Sequence, residues 1–278
     1  MMKIIDAVTF FNEVEVLKMR LELLYPVVDT FIICEANYTH SGEKKSFHLK
    51  ENLDEFEKYK KKIKLINLDL DIKNFSFSKI DSFDPDSGPW KVERAQRDYL
   101  YSEIKNFEIN DVAIICDVDE IWNPHLAELL RSKKIPLEIA RLEMQFHYYW
   151  LNCRGVGKAN NSWVSAYFST VGNLSSNQGK LSKIREEAKL PLVHRAGWHF
   201  SNLGGANKLK EKIEAFAHQE LNKEEIKNIE KLENAINLGI DYLNRESHEW
   251  AFHPIDYYPK DLAKVMRLHP NLLRKYLL

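Results

Sequence analysis

Residues 112–116, Val-Ala-Ile-Ile-Cys, form an unbroken apolar run that passes directly into Asp117-Val118-Asp119-Glu120. Two further segments have the same grain: residues 3–11 (KIIDAVTFF) and residues 28–34 (VDTFIIC), the latter ending at Glu35. Strands with one wet face alternate apolar and polar residues; strands covered on both faces do not. Runs of this kind, interleaved with segments of helical spacing, predict an α/β fold with a mostly parallel sheet flanked by helices. Ligands of such sheets gather beyond the carboxyl ends of the strands. Two strands ending Ile-Ile-Cys-Glu and Ile-Ile-Cys-Asp would deliver acids to that edge.

The intervening segments fit this order. Asn12 has the character of an N-cap, with Glu15 three residues on completing a capping box, and Val16, Leu17, Leu21 and Leu24 follow at helical spacing. A Lys/Glu-rich helix precedes a third strand at 63–68. Residues 69–89 carry turn chemistry in Asp84-Pro85-Asp86-Ser87-Gly88-Pro89. A helix is expected over 90–107, and Asn123-Pro124 opens a short one. The segment ARLEMQFHYYW (140–150) reads as a strand rising into an aromatic surface, and two short strands are expected within 152–182. Residues 206–240 read as helical, followed by short helices at 259–268 and 270–277. This divides the chain into a core (1–205) and a helical C-terminal extension (206–278) packed on it, one compact domain overall.

Composition narrows the partners. Forty Lys+Arg against 41 Asp+Glu leave a net charge of −1, so no global basic field recruits nucleic acid. The apolar runs are all shorter than the 18 residues a membrane span needs. Residues 1–13 meet an acid at Asp6 and lack an apolar leader core, giving the expectation of a cytoplasmic protein. Three cysteines, two of them inside apolar runs, suit free buried thiols.

Four constellations can carry chemistry. In an extended chain Asp117 and Asp119 point to one side, where two carboxylates can share a hard cation such as Mg²⁺ or Mn²⁺ and hold it against a diphosphate; a solvated turn is the ordinary alternative. Gly197-Trp198-His199 precedes Gly204-Gly205, small residues that let backbone approach a ligand. His199 is a candidate third metal ligand, and His218, in an expected helix, a candidate phosphate contact. Glu35 and Asn37 lie in a polar loop suited to a nucleoside. On the helix from Trp90, Arg94 and Arg97 are placed to meet phosphate, with Glu93–Arg97 as an i, i+4 pair the competing use. Phe146, Tyr148, Tyr149, Trp150 and Trp163 can stack on sugar rings or fill core.

These segments together resemble glycosyltransferase family 17. The likeness is carried by Phe11-Asn12-Glu13 through Arg20; Val28-Asp29-x-Phe31 into Cys34-Glu35-x-Asn37-x-Thr39 and Gly42; Asp98-Tyr99-Leu100; Asp111 through Asp117-Val118-Asp119-Glu120-Ile121; and His194-x-x-Gly197-Trp198-His199-x-Ser201. The resemblance implies a GT-A fold, a nucleotide-sugar donor, a glycan acceptor and inversion at the anomeric carbon. It also implies Mn²⁺ (or Mg²⁺) on Asp117, Asp119 and His199, with UDP-N-acetylglucosamine as the default donor. Under it, Glu35, Asn37, Arg94, Arg97, Asp98, Trp198, Gly204, Gly205 and His218 are donor-site candidates. Glu120 and Glu143 are candidates for the base. Two alternatives stay open: a metal-dependent phosphohydrolase using Asp117-x-Asp119, and a non-catalytic glycan-binding protein on the same fold.

Overall fold

The structure is a computed structural model and describes residues 2–78 and 81–274. One sheet organises it. Its strands are β1 (Ile4–Phe10), β2 (Thr30–Ala36), β3 (Ile63–Leu68), β4 (Val112–Asp117), β5 (Glu120–Trp122), β6 (Ala140–Tyr148), β7 (Cys153–Gly155), β8 (Ser162–Thr170), β9 (Leu192–Ser201) and β10 (Trp250–Phe252). The main path runs β10-β7-β6-β8-β4-β1-β2-β3, with β9 paired to β6 and β5 paired to β9. The first four strands are mutually parallel, as are β6 and β9; β8 enters antiparallel between β4 and β6.

Both faces of the parallel strands are apolar, as the continuous runs require. Ile4, Val8, Phe10, Ile33 and Ile114 pack on one side with the helix Val14–Leu24 and the C-terminal helix Lys260–Met266. Ile5, Ala7, Ile32, Ala113 and Ile115 pack on the other, with Leu100, Leu174 and Leu181. A third, aromatic cluster joins Phe146, Tyr148 and Tyr149 to the helices Gly205–Ala215 and Ile229–Leu238.

Several local expectations change. The first helix begins at Val14 behind Glu13 and has no side-chain cap. Asn12 instead donates to Glu211 at 2.6 Å, and Glu15 turns to Lys18 and His269, so the capping box does not form. The helix expected over 90–107 is split into Gly88–Tyr99 and Tyr101–Ile104. The segment after residue 205 is less helical than its composition suggests. It supplies edge strand β10, which pairs with β7, and ends in a single 3-10 turn at Pro270–Leu272. Residues 275–277 of the helix expected there lie outside the described residues. All three cysteines are free and buried. No helix among the described residues is long and apolar enough to cross a membrane.

The strand-to-helix joint at β1 hides a buried ion pair. Arg20 and Asp6 are both fully buried, and the guanidinium grips the carboxylate through two nitrogens. Arg20 Nη1 also donates to the carbonyls of Asp117, Val118 and Glu120, at 3.3, 3.3 and 2.7 Å. Trp122 Nε1 closes on the same Asp6 carboxylate at 2.8 Å. The backbone after β4 is therefore fixed from beneath by a side chain of the first helix.

Arg20→Met is expected to cost about 3–5 kcal/mol, because it strands the Asp6 charge in the core. Urea unfolding measures it; a loss below about 1 kcal/mol, the range of an ordinary surface change, would show that the pair is not needed.

Candidate active site

The β-sheet register brings the acids to one edge and aims them differently. Thr9 pairs with Asp117 across β1 and β4, while Phe10 pairs with Glu35 across β1 and β2. Successive side chains of a strand point to opposite faces. Asp117 thus shares a face with Thr9, whose hydroxyl donates to it at 3.1 Å, and Glu35 takes the other. There Glu35 is fully buried and accepts from Lys45 and from the backbone N–H groups of His48 and Leu49. Asn37 bridges Asp69 and the Leu70 N–H. Both residues use these bonds to hold the loop that follows β2.

Asp117 and Asp119 have separate partners. The chain is extended only to Asp117, turns at Val118-Asp119 and restarts as β5. Asp117 receives Arg97 at 2.8 Å on one oxygen and Arg185 at 2.6 Å on the other. Burial would raise its carboxyl, but Arg185 and then Arg97 outweigh it and hold it far below the usual range. Asp119 turns the other way, to His199 Nε2 at 3.4 Å and Lys212 Nζ at 3.3 Å. Burial pushes it up; His199 and Lys212 pull it down, to about 2.

Gly197 sets His199 in place. A Cβ there would meet the Ile121 carbonyl oxygen at 2.4 Å and Trp122 Cα at 2.6 Å, so only glycine lets β5 lie this close to β9. The pairing puts His199 opposite Glu120. The imidazole stacks on Phe146 (4.9 Å, 4°) and tilts against Trp163 at 4.5 Å. Its Nδ1 is buried without a partner among the described residues.

The two base candidates are held fast. Glu120 is fully buried and accepts from the Asp117 N–H (2.7 Å), Trp163 Nε1 (2.6 Å) and Arg185 Nη1 and Nη2 (2.9 and 2.8 Å). Glu143 pairs with the exposed His194 at 2.9 Å, three residues before Phe146, about 10 Å away along the strand at 3.3 Å per residue. Glu13 differs: burial first, and Asp119 third after the opposing pull of Lys212, leave its carboxyl raised. Its Oε2 accepts from the Phe11 and Asn12 N–H groups.

The remaining donor-site candidates divide. Arg97 is buried on Asp117 and Glu93, yet its Nη1 has no partner among the described residues. Arg94 instead donates to the Pro85 carbonyl and lies 3.7 Å from Glu186. Asp98 accepts from the Ser182 N–H at 2.7 Å, anchoring the short helix Leu181–Glu186 that carries Arg185. Trp198 is buried in the main core, pointing away from His199, and borders a cavity by Leu23 and Leu262. Gly204 and Gly205 open the helix Gly205–Ala215 with φ of +97° and +85°, and the space beyond Gly205 is open. His218 is not helical; it sits past that helix, paired to Glu220 and edge-on to Trp90.

Two cationic groups escaped the sequence. Arg185 lies in Ser-Lys-Ile-Arg-Glu-Glu and Lys212 in a Lys/Glu-rich helix, patterns identical to solvated surface.

No group of three His, Cys, Asp or Glu is placed to hold a metal among the described residues. Asp119 Oδ1 and His199 Nε2 nonetheless face each other at a spacing two ligands of one cation can have, and a carboxylate with an imidazole suits Mn²⁺. Cations of this class are commonly held by one or two protein ligands, with waters and substrate phosphates completing the shell. The pair fits such an ion; Asp117, with both oxygens on arginines, does not join it in this arrangement.

Known proteins bear on this site. The profile described as Glycosyltransferase family 17 matches residues 1–271. A 127-residue stretch is 30% identical to the β-1,4-mannosyl-glycoprotein 4-β-N-acetylglucosaminyltransferases of Rattus norvegicus and Homo sapiens, covering 43% of this chain and 21% and 22% of theirs. The matched stretch thus spans about a fifth of the length of those relatives. A crystal structure of S. aureus TarS 1–349 superposes over 87% of this chain and 74% of its own, with a TM-score of 0.43 and 11% identity, too distant to carry an argument. With the profile running from the first strand through the last helix, the chain belongs to glycosyltransferase family 17.

Proposed function

We propose that the chain is a metal-dependent, inverting glycosyltransferase. In this reading it moves a sugar, by family default N-acetylglucosamine, from a nucleotide-sugar donor, by default UDP-linked, to a glycan hydroxyl. The names of the rat and human relatives support the sugar and the class of acceptor. The observation that carries the reading is the meeting of Asp119, His199 and Lys212 just past the carboxyl end of β4.

Asp119 and His199 would hold Mn²⁺ or Mg²⁺. The chemistry such an ion supplies is positive charge for a departing diphosphate. The chain adds its own positive charge in Lys212, 3.3 Å from Asp119, while Arg97 keeps one guanidinium nitrogen, buried beside Asp117, without a partner among the described residues. Trp163, half-buried beside His199, offers a ring face to a sugar. Glu13, whose carboxyl is raised by burial and by the nearby Asp119 charge, is assigned removal of the acceptor's hydroxyl proton. A phosphohydrolase would need Asp117 as a free nucleophile, and both its oxygens are bound by arginines. A purely glycan-binding protein would show no donor hydrolysis with Mn²⁺.

Asp119→Ala should stay folded by circular dichroism while Mn²⁺-dependent UDP binding disappears and donor turnover falls by roughly 10²-fold or more. Undiminished metal-dependent turnover would sink the metal assignment. Glu13→Gln keeps an acceptor oxygen for the Phe11 and Asn12 amides but cannot take a proton. Wild-type kcat/KM should rise with pH as Glu13 ionises through its raised pKa. In Glu13→Gln that acid limb should vanish and kcat drop about 10²–10⁴-fold; an unchanged pH profile would place the base elsewhere.

A further inference from the structure

A second concavity, of about 270 Å³, opens beside the loop after β2. Pro89 lines it, eight residues before Arg97 on one helix, so it lies about 12 Å from Arg97 at 1.5 Å per residue. Its walls include Phe77, Ser41, Glu220 and Asn222.

The orientation of the two acceptors follows from their neighbours. Gln219 Nε2 donates to the Phe216 carbonyl at 2.8 Å and lies near those of Glu214 and Ile213. Carbonyls only accept, so the Gln219 amide oxygen must face Asn222. Asn222 therefore presents Nδ2 to it, at 3.1 Å, and its Oδ1 is left over. Glu220 gives one oxygen to His218 Nδ1 at 2.7 Å. Its other oxygen and Asn222 Oδ1 are both buried without a partner among the described residues. A buried acceptor without a donor is costly to keep, and here two belong to neighbouring residues that line one cavity.

Lys223 also lines the cavity, but Glu220 opposes an anion there, and a hydrocarbon would leave both oxygens unpaired. A pyranose meets every demand: adjacent hydroxyls as donors for Glu220 and Asn222, further oxygens for the hydroxyl of Ser41, and a C–H face for Phe77. The volume lies just below that of pockets for drug-sized ligands, which start at about 300 Å³, and so suits a single ring. We propose that this cavity binds one non-reacting saccharide unit of the acceptor glycan. The assignment rests on the glycosyltransferase reading. Binding energy from such a remote unit can be used to orient the reacting hydroxyl.

The test titrates the full chain with the methyl glycosides of glucose, galactose, mannose and N-acetylglucosamine, and with uridine, by calorimetry. At least one glycoside should bind saturably to the wild type. Asn222→Ala and Glu220→Gln should each weaken it about tenfold, the worth of one good hydrogen bond, while Asp119→Ala leaves it unchanged. The proposal is overturned if no glycoside saturates, if binding is lost in Asp119→Ala but kept in both turn variants, or if uridine is the ligand those variants lose. Failure of the transferase reading would appear separately, as absence of donor hydrolysis by a wild type that still binds the glycoside.

Discussion

The site depends on one guanidinium that holds its backbone from beneath. Arg20 rises from the first helix, is anchored by Asp6 on β1, and spends its remaining donors on three carbonyls of the turn after β4. The turn after β4 directs three carbonyls toward Arg20, and buried backbone acceptors need donors. Arg20 answers that need, and Asp6 answers the charge this brings into the core. The acidic turn and the buried pair are thus two sides of one arrangement, joining the beginning of the chain to its middle.

Above that turn the charges are segregated. Asp117 and Glu120 share Arg185, with Arg97 added on Asp117, in a tight and nearly closed network. Asp119 faces the looser partners, a histidine and a lysine both beyond 3.2 Å. The first group has the features of a frame and the second those of a place where ligands exchange. The motif's three acids therefore keep different company, although their spacing makes them look alike.

Much of this was legible because it rests on local rules. The unbroken apolar runs around Ile32, Ile114 and Ile115 required a sheet covered on both faces, and the edge at which their acids emerge followed. Gly197 and His199 stood out as a pair. Three things were not legible. Parity decides that Glu35 and Asp117 face apart, and parity depends on an inter-strand register that one strand's sequence does not contain. The turn at Val118 broke an assumption of extended geometry on which the sharing of one cation rested. Arg185 and Lys212 arrive from distant segments whose Lys/Glu-rich patterns are those of any wet helix, so only the packed fold distinguishes them from surface charge.

The hydrogen bond from the Ser182 N–H to Asp98 joins the helix bearing Arg97 to the one bearing Arg185. Asp98 directly follows Arg97, and Ser182 is one turn before Arg185, so the two guanidinium groups that grip Asp117 are yoked. The backbone positions from which the two cations reach Asp117 are thus set by one shared contact, so a change in either short helix is felt by both arms of the grip.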